Sequence, residues 1–331
     1  MKLSIALQTD KPLAAYGPLA AQAESHGFDQ VTVYNDMLYQ PAWLPLLEMA
    51  RATRRVRLGV AAVNPFTCHP VNIAGNIALI DEAAGGRVSL GLARGAWLDF
   101  VGVAPRQPAR ALAEAVRCVR HLLRRDPAPL AGEFFPLAGG DTLRWPLLRS
   151  DIPFLLGSWG AQTIRACIAE IAEVKIGGSA NPDVVPYFRR VIDAAAQQAG
   201  RAGDEIGIVI GAVCVVDEDG AAARALARRE VALYLPVVAG LDPTVAVEPD
   251  RLAQLRAAAA RYDFTAAAAL VSDDLLRRFA FAGSPAEVAE QAAALFAAGA
   301  SRVEFGTPHG LTPAQGLHLL GTAVLPRLRG G

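Results

Sequence analysis

The chain predicts an α/β fold: a (β/α)8 TIM barrel with insertions, the largest between the seventh and eighth strands. Eight short, β-rich, apolar runs alternate with helical patterns along the 331 residues, the order that builds a parallel sheet with helices packed on it. Most of these runs are apolar at every position, as strands buried on both faces require. A doubly wound sheet shares this alternation, but no Gly-x-Gly-x-x-Gly turn follows the first strand, which weighs against it.

The first strand spans residues 3–8, and the helical pattern of 12–26 behind it is closed by Gly27. Strand 30–35 leads to helix 41–53, and strand 57–63 leads to helix 70–84, which Gly85 and Gly86 end. Proline opens these helices because a first-turn N–H has no intrahelical partner to lose. Glycine follows them because it takes the left-handed conformation freely. Strand 88–94 precedes helix 108–125, strand 153–158 precedes helix 161–171, and strand 173–179 precedes helix 184–199. Strands 206–216 and 302–307 complete the eight, and helix 313–325 follows the last. A barrel needs about 250 residues. The chain therefore reads as one domain, residues 1–331, with an inserted helical segment at about 217–285.

Composition narrows the function. Formal charge is zero and the sequence pI is about 7.0, so nucleic acid is not expected as a partner, because phosphate contacts need a basic face. No apolar stretch reaches the roughly 20 residues of a membrane span, and residues 1–8 read as a strand rather than a signal sequence. Cys68, Cys118, Cys167 and Cys214 are too scattered for a disulfide framework and read as small buried thiols. A reducing cytoplasm is the expected compartment.

In a barrel, function gathers where strands end. Two turns stand out there, Leu155-Leu156-Gly157-Ser158-Trp159-Gly160-Ala161 and Val174-Lys175-Ile176-Gly177-Gly178-Ser179-Ala180-Asn181-Pro182-Asp183. Each carries a strand pattern into small residues with a helix behind. Backbone N–H groups at Gly157, Ser158, Trp159 and Gly160, and at Gly177, Gly178 and Ser179, suit an anion, most often phosphate, at the positive end of a helix dipole. Asp36 is the carboxylate at the end of an early strand; it contacts a ligand or caps the helix near Pro41. Arg94 ends an apolar strand, where it holds an anion or pairs with a structural carboxylate. Glu304, inside the eighth strand, reads as half of a buried ion pair. His69, beside Pro70, reads as a helix cap. His309, among small residues in the last loop, is the histidine best placed to meet a ligand. No His/Cys/Asp/Glu cluster has metal spacing, and no Gly-x-Ser-x-Gly or His-Glu-x-x-His motif occurs. A bound cofactor performing the difficult step on a small-molecule substrate fits this set.

Six segments, taken in order, resemble the bacterial-luciferase-like superfamily, and within it the coenzyme-F420 branch that includes methylenetetrahydromethanopterin reductase. They are Ala23-Glu24-Ser25-His26-Gly27-Phe28-Asp29, Arg57-Leu58-Gly59, Asn64-Pro65-Phe66-Thr67-Cys68-His69-Pro70, Gly91-Leu92-Ala93-Arg94-Gly95, Ser179-Ala180-Asn181-Pro182 and Gly306-Thr307-Pro308-His309-Gly310. The resemblance implies a barrel binding a deazaflavin or flavin at the strands' carboxyl ends. It implies a bulge with a non-prolyl cis peptide at Ala61–Ala62, backing the tricyclic ring. Contacts at the ring edge map to Asp36 and the Arg94-Gly95 turn, with Asp36 and Arg94 as catalytic candidates, and Asn64 is counted among the cofactor-binding residues. Phosphate contacts map to 157–160 and 177–179, and His309 joins the cofactor-binding set. The pattern departs from many relatives at Met37 (often His), Ala96 (often acidic) and Gln8 (Glu in some). The reaction implied is hydride transfer with coenzyme F420. An FMN-dependent monooxygenase supplied by a separate reductase is the alternative, and a cofactor-binding protein without turnover is another. A homodimer is implied as well.

Overall fold

A computed structural model of the chain describes residues 1–330. Gly331, the last residue of the single domain read from the sequence, lies outside the described residues. Among the described residues nine strands are present: β1 (Lys2–Leu7), β2 (Gln30–Val33), β3 (Arg57–Val63), β4 (Val88–Ala93), β5 (Phe154–Gly157), β6 (Glu173–Gly177), β7 (Gly207–Val216), β8 (Ala280–Gly283) and β9 (Arg302–Gly310). They hydrogen-bond in the order β6-β5-β4-β3-β2-β1-β9-β7-β8, and β6 also pairs with β7. Followed round, that order returns to its start through eight strands, β1 to β7 and β9, and leaves β8 outside. This is the parallel (β/α)8 barrel that the alternation predicts. Parallel neighbours need a long crossover, and most of the crossovers contain a helix.

The described chain comprises two compact units. One is formed by residues 7–175 and 191–207 and contains β2 to β5. Its strand residues Val31, Val33, Leu58, Val60, Leu90, Leu92 and Leu156 are buried. β3 and β4 pair in register from Leu58 to Val60, slip, and resume at Val63 opposite Leu92. The slip is the bulge, and the Ala61–Ala62 peptide within it is cis, as the resemblance implies. A Cβ at Gly91 would overlap the Val60 carbonyl oxygen, so β4 can pass the bulge only with glycine there.

This unit also holds an insertion that periodicity did not reveal. Between the helix Pro108–Leu123 and β5 the chain makes no further helix, only the bridge Leu130–Leu137. Proline and glycine interrupt any pattern, so side chains must anchor the segment. Glu114, buried on that helix, accepts three backbone N–H bonds, from Glu133 at 3.0 Å, Phe134 at 2.8 Å and Phe135 at 2.5 Å. Arg149 forks onto Asp81 at 2.9 and 2.8 Å, and Phe135 meets the His69 ring edge to face at 5.6 Å. Burial pushes the Glu114 carboxyl up, but the three amides outweigh it and hold it below the usual glutamate range.

The other unit comprises described residues 1–6, 176–190 and 208–330 and contains nearly all of β7, with β8 and β9. The segment read as a helical insertion, 217–285, holds five helices: Gly220–Val231, Leu235–Val238, Pro249–Ala260, Phe264–Ala269 and Asp273–Phe279. It is not helical throughout. Its end forms β8, which pairs with residues 213–216 of β7. Val231, Leu235, Leu255, Leu275, Leu276 and Phe279 pack with Val213 and Val215 into one apolar core. The insertion is thus seated on β7 by its own hydrophobic interior.

Replacing Glu114 by Ala leaves three amides without their acceptor, and stability at neutral pH should fall by about 3 kcal/mol. The group's depressed pKa gives stability that is present above the unfolded value and lost as pH falls through the folded one. Melting curves of wild type and Glu114→Ala should therefore converge in acid, below the usual glutamate range. A constant gap across that window would show that the carboxylate does not anchor the segment.

Candidate active site

Four neighbouring strands, β2 to β5, bring several of the predicted residues to their carboxyl ends within one unit. Asp36 follows β2 and is half-buried. It does not cap the next helix. Helix Trp43–Ala52 begins at Ala42, whose N–H donates to Asn35 Oδ1 at 3.0 Å. Asp36 instead accepts from Gln8 Nε2 at 3.0 Å, while Gln8 Oε1 accepts the Thr9 N–H at 2.9 Å.

The bulge carries Ala61 and Ala62, both half-buried, and leads directly into Asn64. Asn64 is 6% exposed. Its Oδ1 is fully engaged, accepting from Phe66 N at 3.0 Å, Thr67 N at 2.9 Å and Thr67 Oγ1 at 3.1 Å. Those donors fix the amide's orientation. Its Nδ2 has no partner among the described residues and reaches the surface. That NH2 group faces the turn after β4: a Cβ at Gly95 would lie 3.0 Å from it. Gly95 has φ +82°, so it satisfies both the space and the backbone. Beside it Arg94 is exposed and makes no ion pair among the described residues. The structural pairing considered for Arg94 from the sequence is absent there.

After β5, Gly157, Ser158 and Trp159 are half-buried and Gly160 is exposed. The Gly160 N–H donates to Ser158 Oγ at 3.1 Å, and the Ser158 N–H donates to the Lys175 carbonyl at 3.2 Å. Lys175 went unremarked as a site residue. It is buried, with its ammonium 5.4 Å from the centre of the Tyr34 ring. The available signal was a lysine inside the apolar run Val174-Lys175-Ile176, where a cation needs a reason.

In the second unit the predicted residues are tied into structure. The Gly178 and Ser179 N–H groups both donate to the Gly211 carbonyl, at 2.7 and 3.2 Å. Ser179 is fully buried, and its Oγ accepts from Asn181 N at 3.1 Å. Neither amide is left for an anion, because a strand-edge carbonyl already takes both. Gly178 is needed for another reason: its φ is +78° and a Cβ would lie 2.9 Å from Val238. Gly177 is half-buried just before them. His309 is 2% exposed at φ +77°, and its Nε2 bonds to the Ala6 carbonyl at 3.0 Å. His69 is a cap: its Nδ1 accepts from Val71 N at 3.2 Å.

Glu304 pairs with Arg302 at 3.3 Å, both 1% exposed, and Ser4 Oγ bridges them. That is the buried ion pair the strand position suggested. Among the described residues no group of three or more His, Cys, Asp or Glu is placed to hold a metal. The chemistry available in the β2–β5 unit is therefore one carboxylate, one open amide donor, one unpaired cation and a flat backbone bulge. Such a set can hold and orient a ring with polar edges and exchange a proton beside it.

The luciferase-like monooxygenase family matches residues 1–302. The chain is 27% identical over 345 residues to a 5,10-methylenetetrahydromethanopterin reductase of Methanopyrus kandleri, covering 98% of this chain and 97% of that protein. It is 29% identical over 318 residues to the protein of the same name from Archaeoglobus fulgidus, covering 93% of each. Its fold matches that of a coenzyme F420 dependent tetrahydromethanopterin reductase from Methanopyrus kandleri, with a TM-score of 0.88, 24% identity and 99% of each chain covered.

The ion pair at Glu304 yields a test of its structural role. Glu304→Gln removes the negative charge from its buried contact with Arg302, and stability should drop by about 1–3 kcal/mol. A denaturant titration with an unchanged midpoint would remove the pair from the fold's energetics.

Proposed function

We infer that this chain, which belongs to the luciferase-like monooxygenase family, is a coenzyme F420-dependent oxidoreductase that transfers a hydride between the deazaflavin and a small organic substrate. Two relatives aligned over more than nine-tenths of the chain are reductases. The residues themselves fit the cofactor. Asn64 is the observation that carries this: on a side chain only 6% exposed, the carbonyl is spent and the NH2 group, which reaches the surface, has no partner among the described residues. A ligand's carbonyl or ring nitrogen can accept from this fixed, open donor without displacing any protein partner.

Coenzyme F420, when bound, supplies the hydride chemistry. Ala61 and Ala62 offer a flat, small surface for its ring, because Gly91 lets the bulge settle on β4. Asn64 donates to the ring edge, with Gly95 keeping the space beside its amide clear. Arg94, unpaired and exposed, attracts an anionic edge or substrate group. Asp36 exchanges a proton with substrate. In the turn Gly157–Gly160 the Ser158 and Gly160 N–H groups already have acceptors, so those two amides are not part of the proposed cofactor contact. No protein nucleophile is required, because hydride transfer needs orientation and protection from water rather than covalent attachment.

A cytoplasmic location, a homodimer and a separate reductase that restores the spent cofactor belong to the same proposal. The four free cysteines suit a reducing compartment. Among the described residues no helix is long and apolar enough to cross a membrane.

Fluorescence titration should show F420 binding at least tenfold more tightly than FMN. Tighter FMN binding would favour a flavin monooxygenase. F420 should also raise the melting temperature in proportion to the logarithm of its concentration. Asn64→Asp keeps the acceptor for Phe66 and Thr67 but removes the donor. It should weaken F420 at least tenfold, about 1.4 kcal/mol. An unchanged affinity would place the ring away from Asn64.

A further inference from the structure

We propose that Gln8 is a positioning residue that holds Asp36 as a proton acceptor facing substrate. Its meaning for turnover rests on the F420 reading above.

A glutamine amide can in principle sit either way round, but Gln8 is pinned. Its Oε1 accepts the N–H of Thr9 at 2.9 Å, and Thr9 is fully buried, so water cannot take over that bond. Nε2 is then the end that meets Asp36 Oδ2, at 3.0 Å. Turning the amide over would set donor against donor at Thr9 and oxygen against oxygen at Asp36. A fixed N–H donor at this distance favours the ionised, accepting form of a carboxyl and disfavours the protonated one. Gln8 thus fixes one carboxylate oxygen of Asp36, and Oδ1, which has no donor among the described residues, is the oxygen left open.

The surrounding charges are otherwise engaged. Lys11 Nζ is bound to Asp10 at 2.5 Å and to the Gln8 carbonyl at 3.1 Å. The Tyr16 hydroxyl donates to Gln40 Oε1 at 3.0 Å. Tyr39 gives only its backbone N–H, to the Asp36 carbonyl at 3.2 Å. Lys175 lies over the Tyr34 ring, and Arg94 forms no ion pair with Asp36 or any other described carboxylate. Gln8 is thus the one hydrogen-bonding partner of the Asp36 carboxylate among the described residues.

The test follows the carboxyl directly in protein without cofactor. With 13C-labelled aspartate, the Asp36 carboxyl carbon is assigned by its loss in Asp36→Asn and followed against pH. Gln8→Glu should move its midpoint upward by about one pH unit or more, since two carboxylates in contact resist ionising together. Gln8→Leu, which removes the donor and adds no charge, should move it upward by less. In the wild type, the Gln8 side-chain NH2 resonances should titrate with that same midpoint, a reading that needs no variant to fold. Unmoved midpoints in folded variants, or Gln8 resonances blind to the Asp36 titration, overturn the proposal. In turnover, the acid limb of the kcat profile should shift upward in Gln8→Glu with the KM for F420 unchanged. A lower kcat with an unshifted limb would also overturn it. Because the carboxyl titration uses no cofactor, failure of F420 to bind would sink the functional reading and leave this test standing.

Discussion

The geometry of the site depends on the absence of a side chain at Gly91. A Cβ there would overlap the Val60 carbonyl oxygen, so β3 could not bulge where it does. With only hydrogen on Gly91, backbone packs on backbone, and the extra length in β3 is absorbed before Val63 pairs with Leu92. That displacement leaves Ala61 and Ala62 half-buried and delivers Asn64 next to the following turn. A second glycine, Gly95, then keeps the space beside the Asn64 amide clear. Two missing side chains on β4 and its turn thus shape a surface that the side chains of β3 occupy.

Charge in the β2–β5 unit is spent mainly on holding irregular chain. Glu24 accepts the N–H groups of Arg54, Arg55 and Val56 at 3.0, 2.6 and 2.7 Å. Burial raises its carboxyl and these amides outweigh the effect, so it lies below the usual range, as Glu114 does. Each carboxylate replaces, for a loop, the ladder of bonds a strand would have provided. Asp36 and Arg94 stand out by contrast. One has a single side-chain partner and the other has none among the described residues.

In the other unit, buried polarity serves cohesion. Arg302 and Glu304 neutralise one another inside β9. Asn181 donates to Asp242 at 3.1 Å and to Thr244 at 2.9 Å, and Asp242 in turn accepts the Thr244 N–H at 2.8 Å. This network joins the loop after β6 to the segment 217–285. Breaking a satisfied buried network strands several polar groups at once, so such networks specify one arrangement of the chain. Strand position alone marked Glu304 as structural, since a mid-strand charge must find its partner inside.

The sequence by itself determined the alternation and the barrel, because parallel strands, crossover helices and their proline and glycine boundaries are local in origin. It also drew attention to Asp36 and Arg94, which lie at strand ends, while the Ala61–Ala62 bulge followed only from the family resemblance. It did not reveal the segment between Leu123 and Phe154, which has no periodicity and is held by side chains distant in sequence such as Glu114 and Asp81. Nor did it reveal what small residues in a turn do. Gly157–Gly160 and Gly177–Ser179 both read in sequence as turns with amides open to an anion, but the Ser158 amide is taken by the Lys175 carbonyl and the Gly178 and Ser179 amides by the Gly211 carbonyl. Tertiary structure alone decided that, as it decided that Gln8 faces Asp36. A hydrogen bond is assigned by which donor reaches which acceptor in space, and spacing along a chain carries no such information.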